Sequence, residues 1–244
     1  MLIIPLFLLI LTGRAFSIDK KEVLKILSER QDLYLDRIED LKIHQSIEIY
    51  DENSKVTSEV LIYRKKDKLR LDIQSEFKGK STSDSIIYDG KDYYQFSAGL
   101  VKKIDRDLLN QRQDRVIFDN WYSFLTNQDS TWDHKKLPGQ ILIYSRNGEK
   151  EKLSMILNAR NVWIENLKII NNSNITINYQ MSDYTNILGC LMLPRNTVIT
   201  KDNKIYSKII VDQITVNHGL EDNLFKIESN TKINVQQIMK ELFE

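Results

Sequence analysis

Alternation of apolar and polar side chains dominates two long stretches of the chain, and it constrains the fold more than any other feature. Between about residues 42 and 97 the period is two, because Ile47 and Ile49 stand on either side of a glutamate. The same alternation returns between about 141 and 216. A period of two places successive side chains on opposite faces of a strand, so both stretches predict β-strands with one apolar face. Polar segments such as Asp89-Gly90 predict the hairpin turns of an antiparallel order.

Helical patterns accompany the strands. From Asp19 to about residue 40 apolar residues recur at helical spacing, and Asp19 is a natural N-cap, which predicts an amphipathic helix of about five turns. A second helical pattern, rich in aromatic residues, covers about 105–127, and a short third one follows Asn234. No linker rich in proline, serine or glycine interrupts the strands. The residues therefore predict one domain of about ten antiparallel strands with two or three helices.

The first residues predict export. Residues 2–11 are uncharged and apolar, and this run is shorter than the roughly 20 residues that span a bilayer. Ala15 and Ser17 supply the small residues of a signal-peptidase site, so we expect a signal peptide at 1–17, cleavage near Ser17 and a mature domain at 18–244. No cysteine follows the apolar run, so this cleavage offers no lipid anchor. A buried N-terminal strand or helix is the alternative.

Charge and composition exclude several functional classes. The 35 lysines and arginines balance 34 aspartates and glutamates, so the chain lacks the positive excess typical of nucleic-acid binding. A single cysteine, Cys190, excludes an internal disulfide and a cysteine-based zinc site, and is interpreted as a core residue. The three histidines stand far apart, and Gly79-Lys80-Ser81 lacks the first glycine of a phosphate-binding loop. We therefore expect no catalytic residue, no metal and no cofactor.

Several short motifs resemble those of a known family. In chain order they are Tyr63-Arg64-Lys65 through Leu69, Tyr88-Asp89-Gly90-Lys91 with Tyr93-Tyr94, Ile177-Asn178-Tyr179 through Asp183-Tyr184 with Gly189 and Leu193-Pro194, and Ile214-Thr215-Val216-Asn217 with Gly219-Leu220, Asp222 and Leu224-Phe225. Behind an exported start, this order is similar to the LolA/LolB-like superfamily of periplasmic lipoprotein carriers and outer-membrane lipoprotein-sorting proteins. The likeness spans about residues 20–228. The family's Arg-Pro pair is replaced here by Arg64-Lys65, and the lipobox cysteine of the membrane-anchored receptors is missing.

The resemblance implies a mainly β (α+β) fold. Its sheet would be a single antiparallel, strongly curved, open half-barrel of about ten strands, covered on its concave face by two or three helices. An apolar cavity for acyl chains would lie between the sheet and the helices. The alternation seen in the residues is compatible with this, because a sheet with a long apolar face must be covered or closed.

The function implied by the resemblance is that of a free periplasmic carrier, which shelters the acyl chains of lipoproteins or lipids during transfer to the outer membrane. The carrier would be a monomer without enzymatic activity, loaded by an inner-membrane release complex and unloaded by an outer-membrane receptor. Each sheltered CH₂ contributes about 0.8 kcal/mol, so an acyl chain of ten carbons gains roughly 8 kcal/mol against water.

Apolar residues of the strands and of the aromatic helix are expected to line the cavity. They are Ile47, Ile49, Leu69, Leu71, Ile73, Trp121, Phe124, Leu153, Met155 and Leu157. Arg64 is the position at which the resemblance places the contact with a lid helix. The alternative is that the same residues form an ordinary closed core.

Three other functions stay open at this point. A protein of the same fold could be an envelope-stress sensor, or a structural or adhesive envelope protein without lipid cargo. An exported hydrolase with carboxylates in a sheet cleft is the third, although no motif places its residues. A large apolar cavity distinguishes the carrier from a structural β protein, which should be filled.

Overall fold

The fold is seen in a computed structural model, which describes residues 20–52, 54–104, 132–147, 150–170 and 174–227. These ranges contain one α-helix, thirteen strands and a 3-10 helix at Asp222–Phe225. The helix is α1 (Lys20–Arg37). The strands are β1 (Asp40–Asp51), β2 (Ser54–Lys65), β3 (Lys68–Phe77), β4 (Lys80–Tyr88), β5 (Tyr93–Ser97), β6 (Leu100–Ile104), β7 (Trp132–Leu137), β8 (Gln140–Asn147), β9 (Lys150–Asn158), β10 (Ile164–Ile170), β11 (Thr176–Ile187), β12 (Leu191–Lys201) and β13 (Lys204–Val216).

All thirteen strands form one antiparallel sheet that is not closed, in the order β6-β5-β4-β3-β2-β1-β13-β12-β11-β10-β9-β8-β7. Strands that follow each other along the chain lie side by side, so β1 to β6 form one meander and β7 to β13 form a second. The two meanders meet where β1 pairs with β13, with Leu41 opposite Val216. The first and the last of the thirteen described strands therefore form the centre of the sheet.

The expectation of a half-barrel of about ten strands covered by two or three helices is wrong. The sheet has thirteen strands, and α1 is the one α-helix in the ranges that the structure describes. The helices predicted at about 105–127 and after Asn234, like the predicted signal peptide at 1–17, lie outside the described residues. The strand count was low because the edge strands β6 and β7 carry Lys102-Lys103 and Lys135-Lys136. Charged residues protect sheet edges from pairing with other chains, and in a sequence they resemble turns.

The helix α1 has the predicted length, since its 18 residues make five turns. Val23 is 1% exposed, and Leu27 and Tyr34 follow it on the side that packs on the sheet. Leu35 is apolar too, but it is 70% exposed because it lies about 120° around the helix from Val23. Within the described ranges, no helix combines the length and apolarity needed to cross a membrane.

Two apolar clusters fill the sheet face on which α1 lies, which we call the helix face. The first cluster joins Val23 to strands β8 to β13 through Ile141, Ile143, Met155, Leu157, Val162, Ile164, Leu167, Tyr179, Met181, Ile199 and Ile209. The second cluster contains Ile38, Leu41, Ile43, Val60, Ile62, Ile187, Cys190, Leu193 and Val211. Ile47 of β1 packs against both clusters, so the helix face is continuous across the centre of the sheet.

The segment after β13 runs along the opposite face of the sheet. Asp40, which is 3% exposed, accepts hydrogen bonds from the backbone N–H groups of His218, Gly219 and Leu220. Further along, Arg70 Nη1 donates to the carbonyl of Leu224 at 3.1 Å. Because Arg70 alternates with the helix-face residues of β3, this contact lies on the side away from α1. We call residues 217–227 the strap.

Candidate functional site

Two arginines attach α1 to turns of the second meander. The guanidinium of Arg30 donates to the carbonyl of Asn161 and, at 3.4 Å, to that of Val162, in the turn between β9 and β10. Arg37 Nη1 donates to the carbonyl of Leu188 at 2.8 Å, in the turn between β11 and β12. Burial lowers the pKa of Arg30, but a guanidinium stays charged in proteins and keeps all its donors. These bonds fix the position of α1 along the helix face.

The C-terminal end of α1 is capped by the start of the strap. Asn217 Nδ2 donates to the carbonyl of Arg37 at 2.7 Å, and Asn217 Oδ1 accepts the N–H of Glu39 at 2.9 Å. The last carbonyls of a helix lack partners within the helix, and the side chain of Asn217 supplies a donor to one of these carbonyls. The helix and the strap, which lie on opposite faces, are thus connected at one end of the sheet.

Arg64 of β2 connects α1 to the first meander. Its guanidinium carbon lies 5.3 Å from the centre of the Tyr34 ring, a cation–π arrangement. Burial raises the pKa of Tyr34, and the nearby charge of Arg64 acts in the opposite direction. The side chain that the resemblance assigned to a lid contact therefore does contact the helix, while its role in opening or closing stays a prediction.

Eight of the ten predicted lining residues lie on the helix face. Met155 and Leu157 are 0% and 1% exposed and belong to the first cluster. The other six are half-buried, namely Ile47, Ile49, Leu69, Leu71, Ile73 and Leu153. Trp121 and Phe124 lie outside the described residues. Contact of any of these residues with a cargo stays a prediction.

Strand β3 carries a half-buried apolar strip on the helix face, formed by Leu69, Leu71 and Ile73. These side chains pack against the second cluster from one side. The strip ends in polar side chains, because the next residue on this face, Ser75, has its hydroxyl 2.8 Å from that of Ser58. A hollow of about 490 Å³ lies at this end of β2, β3 and β4, and its amide and carboxylate groups belong to residues that alternate to the face away from α1. The surface thus changes from apolar to polar along β3.

One polar residue interrupts the apolar helix face of β1. Alternate residues of this strand are Leu41, Ile43, Gln45, Ile47 and Ile49. Gln45 is 5% exposed, and no donor lies within hydrogen-bond distance of its buried Oε1 in the part of the chain that the structure describes. Sequence reasoning missed it, although a polar residue at an inward position of an alternating strand was the signal that could have found it.

A histidine between two carboxylates lies on the face opposite α1. His44 Nε2 is 2.8 Å from Glu59 Oε2, and His44 Nδ1 is 4.0 Å from Asp212 Oδ2. The hydroxyl of Ser46 donates to Asp212 at 2.8 Å. One donor atom of each of the three groups lies within 4.8 Å of the others, but the two ring nitrogens face different carboxylates. The imidazole therefore lies within hydrogen-bond distance of Glu59, while its other nitrogen faces Asp212 beyond that distance.

Two other sequence features have structural roles. Gly79, which imitates part of a phosphate-binding loop, sits in the turn between β3 and β4 with a φ of 73°, in the left-handed region that glycine adopts without strain. Cys190 is 4% exposed within the second cluster. Burial raises the pKa of its thiol, which disfavours the reactive thiolate.

Comparison with known proteins identifies relatives by structure alone, since no protein-family model and no curated protein matches the sequence. A LolA superfamily protein from Nitrosomonas europaea superposes with a TM-score of 0.58 at 13% identity, over 84% of this chain and 97% of that one. A domain of an outer membrane lipoprotein-sorting protein from Vibrio parahaemolyticus gives 0.56 at 12% identity, over 85% and 97%. A DUF1329 family protein from Desulfovibrio piger gives 0.54 at 12% identity, over 84% and 96%.

These structures are matched over nearly their whole length, so the likeness concerns the entire described domain. The resemblance read from the sequence is confirmed at the level of the fold: this chain has the fold of the LolA superfamily.

Proposed function

We propose that this protein is a periplasmic carrier that shelters the acyl chains of a lipoprotein or lipid during transfer to the outer membrane. The observation that carries the proposal is the strip of Leu69, Leu71 and Ile73, which lies on the helix face of β3 and is only half-buried. Its fold, shared with a domain of a lipoprotein-sorting protein, supports the same conclusion.

The energetics of sheltering follow from the strip. An acyl chain laid along these three side chains exchanges water for apolar contacts, and each buried CH₂ contributes about 0.8 kcal/mol. Partial cover of ten carbons is enough for stable holding and needs no covalent chemistry. The polar groups at Ser58 and Ser75, where the strip ends, give the uncharged end of an amphiphile a place to meet hydroxyls.

In this proposal α1 acts as the cover that regulates access. Apolar contacts hold the helix to the sheet, while Arg30, Arg37 and Arg64 fix it at three separate points. The Arg64–Tyr34 contact adds to the apolar packing of Leu33 and Tyr34 on the second cluster in joining α1 to the meander that carries the strip. Breaking this contact would loosen α1 from this meander, and a release complex or a receptor would act at this point.

Native mass spectrometry tests the proposal directly. The protein is expressed with residues 1–17, purified from the periplasm without delipidation and weighed intact. We expect a stoichiometric species carrying one acylated molecule, whose fragmentation identifies the cargo. Leu71→Glu should abolish this species because it places a charge on the strip. Ile210→Glu is the matched control, since Ile210 is 46% exposed and pairs with Ser46 on the face away from α1.

The opposite result has a definite meaning. If only the unloaded mass is found, and the purified protein takes up no added diacylated lipopeptide, the carrier function is wrong. A protein-binding or structural role would then explain the fold. Equal loss of cargo in Leu71→Glu and Ile210→Glu would place the cargo elsewhere than on the strip.

A further inference from the structure

We propose that Gln45 recognises the cargo: its side-chain carbonyl accepts a hydrogen bond from a donor that the cargo carries beside its acyl chain, an amide N–H or a hydroxyl. The inference rests on the proposed carrier function and adds a selectivity to it. Amphiphiles with such a donor would be preferred over amphiphiles with ether or tertiary amide groups in the same position.

The argument begins with the burial of Gln45. The residue is 5% exposed, and Oε1 has no donor within hydrogen-bond distance among the described residues. More than nine in ten buried polar groups in native proteins have a partner, and an unmet carbonyl loses the hydrogen bonds that water would give it. An acceptor held in this state needs a donor from beyond the described residues.

The neighbours of Gln45 on the sheet explain why the described strands supply no donor. On the helix face it lies between Val60 of β2 and Val211 of β13, both buried aliphatic residues. The adjacent positions along the strand on this face, Ile43 and Ile47, are also aliphatic. The polar neighbours His44 and Ser46 alternate to the opposite face, where Glu59 and Asp212 engage them.

The backbone is irregular at the same place. The register between β1 and β13 shifts between His44 and Gln45, so that Asp212 is an extra residue in β13. Such bulges re-aim a side chain and recur next to functional sites. The irregularity is independent of the hydrogen-bond count, and it lies next to Gln45, whose Oε1 has no donor among the described residues.

Gln45 is placed to meet a cargo that lies on the strip. Gln45, Val60 and Ile73 form one row across β1, β2 and β3, because Gln45 pairs with Val60 and Val60 pairs with Ile73. Neighbouring strands are about 4.8 Å apart, so the backbone of Gln45 lies roughly 10 Å from that of Ile73 in the strip. This distance is within the span of a short linkage group joined to an acyl chain.

An acceptor in an apolar site confers selectivity in a simple way. A cargo with a donor gains a hydrogen bond, whereas a cargo without one leaves the carbonyl unmet and must bury it. We expect a donor to raise affinity about tenfold beyond its effect on hydrophobicity. Removal of the acceptor should erase this preference and leave affinity for the bare acyl chain.

Two ligand pairs of equal chain length test the inference on the full chain. The first pair is N-methyldodecanamide and N,N-dimethyldodecanamide, and the second is dodecan-1-ol and 1-methoxydodecane. Affinities are measured by displacement of a fluorescent acyl probe from the wild type and from Gln45→Leu, with Gln45→Met as a second variant should the first fail to fold. For each pair, the ratio of the two affinities in the wild type is divided by the same ratio in the variant. This quotient cancels the difference in hydrophobicity between the two ligands.

Each outcome has a distinct consequence. A quotient near ten for the amide pair, the alcohol pair or both supports the inference and identifies the donor. A quotient near one for both pairs, with all four ligands bound, overturns it and leaves the carrier function standing; a buried water would then meet Oε1. If the wild type binds none of the ligands and displaces no probe, the carrier function itself fails and the inference fails with it.

Discussion

The guanidinium of Arg64 lies over the ring of Tyr34, with its central carbon 5.3 Å from the ring centre. This contact joins β2 to α1, whereas Arg30 and Arg37 attach the same helix to turns of the other meander. Arg64 therefore adds a cation–π contact to the apolar packing that holds α1 on the second cluster, against which Leu69, Leu71 and Ile73 also pack.

Loss of this contact should weaken the folded state by a modest amount. We expect Arg64→Ala to lower the free energy of unfolding by about 1 kcal/mol, the usual contribution of a partly buried cation–π pair. Urea denaturation of Arg64→Ala, Tyr34→Ala and the double variant measures the coupling. Fully additive effects would show that the two side chains contribute independently and that the contact adds nothing.

The carboxylate of Asp40 should be among the groups most sensitive to substitution. It is 3% exposed and accepts three backbone N–H groups of the strap, from residues 218, 219 and 220. Asp40→Ala would leave these donors without their charged partner, so we expect a loss of about 3 kcal/mol in the free energy of unfolding. Asp36→Ala, on the exposed side of α1, is the control and should stay near zero. A similar small effect in both variants would contradict the role assigned to Asp40.

Attachment of the strap should depend on pH through Asp222. Hydrogen bonds from Lys65 and Lys68, with nitrogens 3.3 Å and 3.4 Å from Oδ1, lower the pKa of this carboxyl group below its usual value. A pKa lowered by folding stabilises the protein above the pKa of the unfolded chain, and the gain is lost as pH falls through the folded pKa. Denaturation of the wild type and Asp222→Asn should therefore differ near pH 6 and converge below about pH 4. A difference that is constant with pH would exclude this origin.

Gly90 should tolerate no side chain in the turn between β4 and β5. Its φ is 100°, and an added Cβ would lie 2.8 Å from Asp67 Oδ2. Gly90→Ala is expected to cost about 1–2 kcal/mol through backbone strain and displacement of Asp67. Gly79→Ala is the matched control, because Gly79 has a φ of 73° but no atom within 4 Å of the added Cβ. Thermal denaturation should show the larger loss at Gly90, and equal losses would leave backbone strain as the only cost.

Several parts of the fold could be predicted from the sequence because their signals are local. The helix α1 followed from the spacing of its apolar residues, and the Asp89-Gly90 hairpin followed from its turn residues. The turn is wider than a two-residue turn, because Asp89 Oδ1 accepts the N–H groups of Lys91 and Asp92 and holds four residues between β4 and β5. The edge strands β6 and β7 were missed because their charged residues reflect their position at the edge of the sheet. Local alternation does not reveal that position.

The candidate site was less predictable because it depends on pairs of residues far apart in sequence. Leu69, Leu71 and Ile73 could be assigned to one face by alternation alone. That Arg64 meets Tyr34, or that Gln45 lies between two valines, depends on the register of β1 with β2 and β13. A sequence shows the polar residue in an apolar row but not the absence of its partner.

The pairing of β1 with β13 at the centre of the sheet has a consequence for how the chain is made. The edge of β1 that faces β13 can find its partner only after residues 204–216 have been made, so its backbone groups stay unpaired for most of synthesis. Contacts of such long sequence separation form slowly, and an open strand edge attracts strands of other molecules. Until β13 pairs with it, β1 is therefore open to intermolecular pairing with strands of other molecules.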